Sequence, residues 1–121
     1  MSTKLYEPVY DINALRERLE HYLEAMNLDN RKVPLRMVLF NEAIEHVVRA
    51  CRALRSDRGN ILMVGSGGCG KGTILRLSAY VCEYQVFTIN TSSVYGVSNL
   101  LEDIKTMYRK AGAGGKGIVF L

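Results

Sequence analysis

Gly65-Ser66-Gly67-Gly68-Cys69-Gly70-Lys71-Gly72-Thr73 is the stretch on which the reading of this chain turns. An apolar run, Ile61-Leu62-Met63-Val64, leads into it. A helix-like pattern of Ile74, Leu75, Leu77, Ser78 and Val81 leads out. Strand, glycine-rich loop, helix is the setting in which a phosphate-binding loop works. Glycines let the backbone fold back, so that several N–H groups aim at one spot. The helix that follows adds its unpaired N–H groups and the positive end of its dipole. Lys71 would reach the outer phosphates as a point charge. The plain alternative, a glycine-rich turn with a surface lysine, accounts for neither the composition nor the flanks.

The spacing Gly-x4-Gly-Lys is intact from Gly65 to Lys71. The next position should carry Ser or Thr, whose hydroxyl binds the magnesium of a Mg-nucleotide. Here it is Gly72, and the hydroxyl comes one residue later, on Thr73. One residue on a helix is a rotation of roughly 100°. ATP or ADP binding is therefore the expectation from this loop. A Mg2+ site is weakly supported, no metal ligand is assigned, and hydrolysis is not expected.

The totals set outer limits. A chain of 121 residues holds one domain at most. Hydrophobic content of 48% with 23% charged residues is ordinary for a globular chain. The net charge of +4 is spread along the sequence with no dense basic block, which argues against a nucleic-acid partner. No apolar run is long enough to span a bilayer, so no membrane partner is expected. The N-terminus carries acids and no apolar h-region, unlike a signal peptide. Cys51, Cys69 and Cys82 are odd in number and lack a CxxC pair. They read as reduced intracellular thiols rather than a disulfide or zinc framework.

Along the chain, residues 1–13 read as a lead-in, with Pro8 opposing helix. Leu15, Leu19, Tyr22, Leu23 and Met26 form a helical stripe from Asn13 to about Asn27, with Asn13 as N-cap. A second helix, about Leu39 to Leu54, aligns Phe40, Ile44, Val47, Val48, Cys51 and Leu54. Gly59 should end that helix and reset the backbone. Asn60 to Val64 reads as a strand covered on both faces, Gln85 to Asn90 as a second, and Ile118 to Leu121 as a third. Between the last two, Ser98 would cap a helix burying Leu100, Leu101, Ile104, Met107, Tyr108 and Ala111, followed by a flexible Gly112–Gly117 turn. His21 and His46 have no partners at metal-ligand spacing.

The whole reads as α/β. Three parallel strands alternating with helices, preceded by two helices, give a right-handed α/β layer, and the resemblance carried by the runs that follow implies a partial P-loop NTPase (AAA+) three-layer αβα fold. Residues 1–36 would be lead-in and linker helix. By the same resemblance, residues 37–121 would be the N-terminal part of an AAA+ module, truncated at the Walker B strand.

Several runs carry a specific resemblance. They are Met37 to Val47, Arg58 to Gly65, Cys82 to Phe87, Tyr95-Gly96-Val97, Glu102 to Lys105 and Tyr108 to Gly112. With them the chain resembles the dynein heavy chains, in particular the axonemal type and the fourth AAA+ module of the motor ring. The axonemal type shares the Gly72-Thr73 displacement of the hydroxyl. The resemblance implies a regulatory rather than hydrolytic nucleotide site within an ATP-fuelled microtubule motor. Its partners would be the other AAA+ modules of the heavy chain and, through the parent motor, microtubules. Its place would be the cytoplasm and cytoskeleton, in the ciliary or flagellar axoneme. Val33 to Phe40 would lie near the adenine.

In such modules the strand at Ile118–Leu121 runs on into an acid that orients magnesium and water. That acid lies outside these residues, and Glu102 and Asp103, on a helix, do not replace it. A further strand would also separate the loop strand from the terminal strand. An open slot beside residues 61–64 and self-association of the isolated fragment are therefore expected. Two alternatives stand beside this reading: a structural or interaction fragment that binds no nucleotide, and a small independent P-loop enzyme such as a nucleotide kinase. The latter is disfavoured because no acceptor-site or lid arginines are identifiable.

Overall fold

The computed structural model describes residues 5–121. Its elements in order are α1 (Ile12–Asp29), α2 (Asn41–Arg55), α3 (Lys71–Val81), β1 (Gln85–Phe87), α4 (Val97–Gly114) and β2 (Ile118–Phe120).

The core sits where the first three helices meet. The apolar spacing that predicts α1 brings Leu19 inward, with Leu15, Tyr22 and Leu23 packed beside it. α2 contributes Ile44 and Val47, α3 contributes Ile74 and Leu77, and Leu39 closes the cluster from the segment before α2. Fully burying such a side chain stabilises by about 1.5–3 kcal/mol. One hydroxyl lies among them. Ser78 is fully buried, and its Oγ donates to the Ile74 carbonyl at 2.7 Å, so its burial leaves no unmet polar group.

Polar side chains of α1 fix the connection to α2. Asn27 makes a reciprocal pair with the Leu35 backbone, donating from Nδ2 at 2.9 Å and accepting the N–H at 2.7 Å. Arg16 donates through Nε to the Leu39 carbonyl at 2.9 Å and through its guanidinium to Asn41 Oδ1. The segment at Leu39 is thereby held for insertion into the core.

Helix ends depart from the expectations by a residue or two. The cap of α1 is Asp11, whose carboxylate accepts the Asn13 N–H at 2.9 Å. Asn13 instead accepts from Arg16. α2 ends at Arg55, and Arg58 rather than Gly59 takes a positive φ of 55°. Gly59 is required for a different reason: a Cβ there would lie 1.8 Å from the Ala53 carbonyl oxygen. α4 is capped by Gly96 rather than Ser98, with Asn99 Oδ1 accepting the Gly96 N–H at 3.1 Å. It runs through Gly112 and Gly114, which were expected in a turn, and stops at Gly115 with φ 60°.

The sheet has two strands among the described residues, where three were expected. β1 and β2 run parallel, with Gln85 opposite Ile118, Val86 opposite Val119 and Phe87 opposite Phe120. Flanking bonds extend the pairing, from Gln85 N–H to the Gly117 carbonyl and from Leu121 N–H to the Phe87 carbonyl, both 2.9 Å. A helix-containing crossover between parallel neighbours is the ordinary βαβ solution. Residues 60–64 have no strand beside them among the described residues, and a strand needs a neighbour for its N–H and C=O groups. They also alternate, contrary to the expectation that both faces are covered. Met63 packs on the core, whereas Leu62 and Val64 are 90% and 88% exposed. The face expected to be buried on α4 is likewise open. Ile104 and Met107 are half-buried, Leu101 and Tyr108 are exposed, and no residue of α4 is fully buried.

Candidate functional site

Residues 65–73 run from the extended segment onto the N-terminus of α3. The turn uses positive φ at Gly68 (74°) and Gly70 (89°), a region that side chains with a Cβ avoid. Gly70 is the N-cap of α3, and no side chain caps the helix. Gly67, Gly68, Gly70 and Gly72 have nothing within 4 Å of where a Cβ would stand, so their outer side is open. Gly67 and Gly68 form a turn, and the N–H groups of Lys71, Gly72 and Thr73 in the first turn of α3 have no partner within the helix. The donors at the start of α3 are thus available at its positive end. A negatively charged oxygen is the ligand that such a cradle suits.

Lys71, the first residue of α3, turns back over the loop. Its Nζ donates to the Gly65 carbonyl at 2.9 Å and the Ser66 carbonyl at 2.7 Å, and lies 3.5 Å from Cys69 Sγ. The lysine thereby closes the loop into a ring held by one cation. Thr73 is half-buried in the first turn of α3, and Gly72 is exposed. Residues 65–73 are contiguous, so the structure keeps all nine together. The N–H groups at the start of α3 and the lysine suit an anion; residues 65–73 include no carboxylate that would hold a divalent cation.

The other acids of interest are engaged elsewhere. Asp103 accepts the Tyr95 hydroxyl, and Glu102 Oε1 accepts from Lys105 at 2.9 Å. That bond holds the Glu102 carboxyl below its ordinary range. Burial of the ring, then the bond to Asp103, pushes the Tyr95 phenol up to about 12. Both acids lie on α4, as the sequence indicates. In the Val33–Phe40 segment, Leu39 is buried in the core, while Val38 and Phe40 are exposed. No group of three or more His, Cys, Asp or Glu capable of holding a metal occurs among the described residues. No helix among them is long and apolar enough to cross a membrane.

Sequence reasoning missed three arrangements. Arg16 reads as a wet-face residue of α1 and Asn27 as its approximate end, yet they anchor the connection to α2 across 23 and 8 positions. The Tyr95–Asp103 bond joins a loop to the second turn of α4, and no spacing rule flags it. Cys51 and Cys82 lie far apart in sequence but meet where α2 passes the end of α3.

Comparison with known proteins adds to the geometry. The family described as the P-loop containing dynein motor region D4 matches residues 35–121. Among similar proteins, dynein axonemal heavy chain 5 of Mus musculus is 45% identical over 118 residues, covering 98% of this chain. The dynein beta chain of the flagellar outer arm of Chlamydomonas reinhardtii is 41% identical over 117 residues, covering 97%. Dynein axonemal heavy chain 2 of Mus musculus is 40% identical over 109 residues, covering 90%. The chain spans only 3% of the first of these relatives and 2% of the other two.

Proposed function

The chain belongs to the family of P-loop containing dynein motor regions D4, and from that premise we propose that Gly65–Thr73 binds the phosphates of ATP or ADP. The observation that carries this reading is the uncapped N-terminus of α3, set behind open glycines and beside the Lys71 ammonium. Backbone N–H groups from Gly67 to Thr73 would hold phosphate oxygens, with Lys71 exchanging its loop carbonyls for an outer phosphate. The role is regulatory and not hydrolytic. Glu102 and Asp103 are already paired on α4, and Gly72 stands where a magnesium-binding hydroxyl is needed.

Within a heavy chain, residues 37–121 would form the N-terminal part of an AAA+ module, with 1–36 as lead-in and linker helix. The open face at Leu62 and Val64 and the uncovered side of α4 would meet the remainder of the motor. In the isolated chain the same faces would promote self-association. The relatives' names, axonemal and flagellar outer arm, support an axonemal place for the parent motor, whose role would be microtubule-based movement.

A second reading, a structural segment without nucleotide, draws on the same lysine. Lys71 is satisfied by its own loop and needs no phosphate to pair it. Titration of ADP and Mg-ATP by calorimetry, with Lys71→Ala as control, separates the two. Saturable heat lost in the variant supports the nucleotide site. No heat with the unmodified chain supports the structural reading. Lys71-dependent phosphate release would overturn the absence of turnover.

A further inference from the structure

Cys51, on α2, and Cys82, the C-cap of α3, are 31 positions apart in sequence and adjacent in the fold. The Cys82 thiol donates to the Cys51 carbonyl at 3.8 Å, and the Cys51 thiol donates to the Ser78 carbonyl at 3.8 Å. Neither bond is strong, so neither fixes its sulfur. The neighbouring Cys82 thiol, and then burial, hold the Cys51 thiol well above the ordinary thiol range. Both are half-buried and line one groove of about 700 Å³, together with Val48, Val81, Arg52 and Arg55. Arg18, Arg52 and Arg55 outnumber Glu7 among its charged lining residues, which gives the groove a positive potential that favours an anionic reagent.

We propose that Cys51 and Cys82 are a thiol pair that closes to an intramolecular disulfide on reaction with a small anionic disulfide of the glutathione class. One thiol loses its proton and attacks a sulfur of the oxidant, breaking the oxidant's S–S bond and releasing one thiolate. The second thiol, deprotonated in turn, attacks the mixed disulfide and releases the other. Two S–H bonds and one S–S bond are lost. One S–S bond and two small thiols are formed, so electrons and protons balance. Because the Cys51 thiol ionises reluctantly, closure accelerates as pH rises. The resulting bond ties α2 to the end of α3 and encloses residues 52–81, the whole glycine-rich loop among them.

The test is incubation of the reduced chain with oxidised glutathione under native conditions, then non-reducing peptide mapping. Three pairings are available to Cys51, Cys69 and Cys82. The expected product is the Cys51–Cys82 peptide as the dominant species, in a chain lighter by two hydrogens. Its unfolding midpoint should rise by roughly 5–15 °C. The Cys51→Ser variant should lose the link and retain glutathione on Cys82. Any of three results overturns the proposal: a stable mixed disulfide on Cys82 in the unsubstituted chain, predominance of a pairing that uses Cys69, or linkage only between chains. Absence of native reaction where the denatured chain oxidises readily overturns it too. None of these readouts depends on nucleotide binding.

Discussion

The Lys71 ammonium lies 2.9 Å from the carbonyl oxygen of Gly65, six positions earlier and at the far end of the same loop. With Ser66 at 2.7 Å, it makes a cation-centred clasp in a segment otherwise made largely of glycine. The clasp holds the loop in shape and keeps the positive charge beside α3's N-terminus.

Lys71→Ala removes the clasp and the charge together. A nucleotide at a hundredfold excess over its dissociation constant stabilises a fold by about 2.7 kcal/mol. The unsubstituted chain should therefore show an upward thermal shift with ADP, and Lys71→Ala should show none. The variant's own unfolding midpoint should move little, because Lys71 makes its bonds only within the loop.

Leu77 is fully buried in the three-helix core. Leu77→Ala should destabilise by about 2–5 kcal/mol, from lost burial and the cavity left behind. Chemical denaturation reads this as a lower midpoint with an unchanged slope. An effect below about 1 kcal/mol would show that the three-helix packing does not govern stability.

A Cβ at Gly117 would lie 2.4 Å from the Tyr84 ring. Gly117→Ala should therefore push the ring aside and weaken the β1–β2 junction at the Gln85–Gly117 bond, costing roughly 1–3 kcal/mol. In the Tyr84→Ala background the same substitution should cost distinctly less. Equal costs in both backgrounds would rule out the ring as the cause.

Tyr95 gives the chain an alkaline signature. Its phenol titrates near 10 in the unfolded chain and is pushed up to about 12 in the fold. A group whose folded value is raised contributes stability that is full below pH 10 and fades as pH climbs through about 12. Ultraviolet titration of the phenolates should show a late-ionising tyrosine that disappears in Tyr95→Phe. Tyr80, raised by its bond to Asp29, should persist in that variant.

Much of this was legible from residue spacing, and the failures share a cause. Leu19, Ile44, Val47 and Leu77 were placed by periodicity alone, because a helix with one apolar stripe has only one way to face a core. The loop was legible because glycine spacing is a local backbone requirement. Residues 60–64 and the apolar face of α4 misled, since a sequence records which side chains seek cover but not whether a neighbour covers them. Leu62 and Tyr108 are apolar, and both are exposed. The reach of Arg16 to Leu39 and the meeting of Cys51 with Cys82 depend on tertiary approach, which no local pattern encodes.

Gly59 carries one last consequence. Its backbone is pressed so close to Ala53 that even a methyl group would not fit, and only residues 60–64 separate it from the first glycine of the loop. The end of α2 and the base of the loop are therefore coupled in series, like a crank and a short connecting rod. A shift of the backbone at Gly59 is passed to the base of the glycine-rich loop through only five residues.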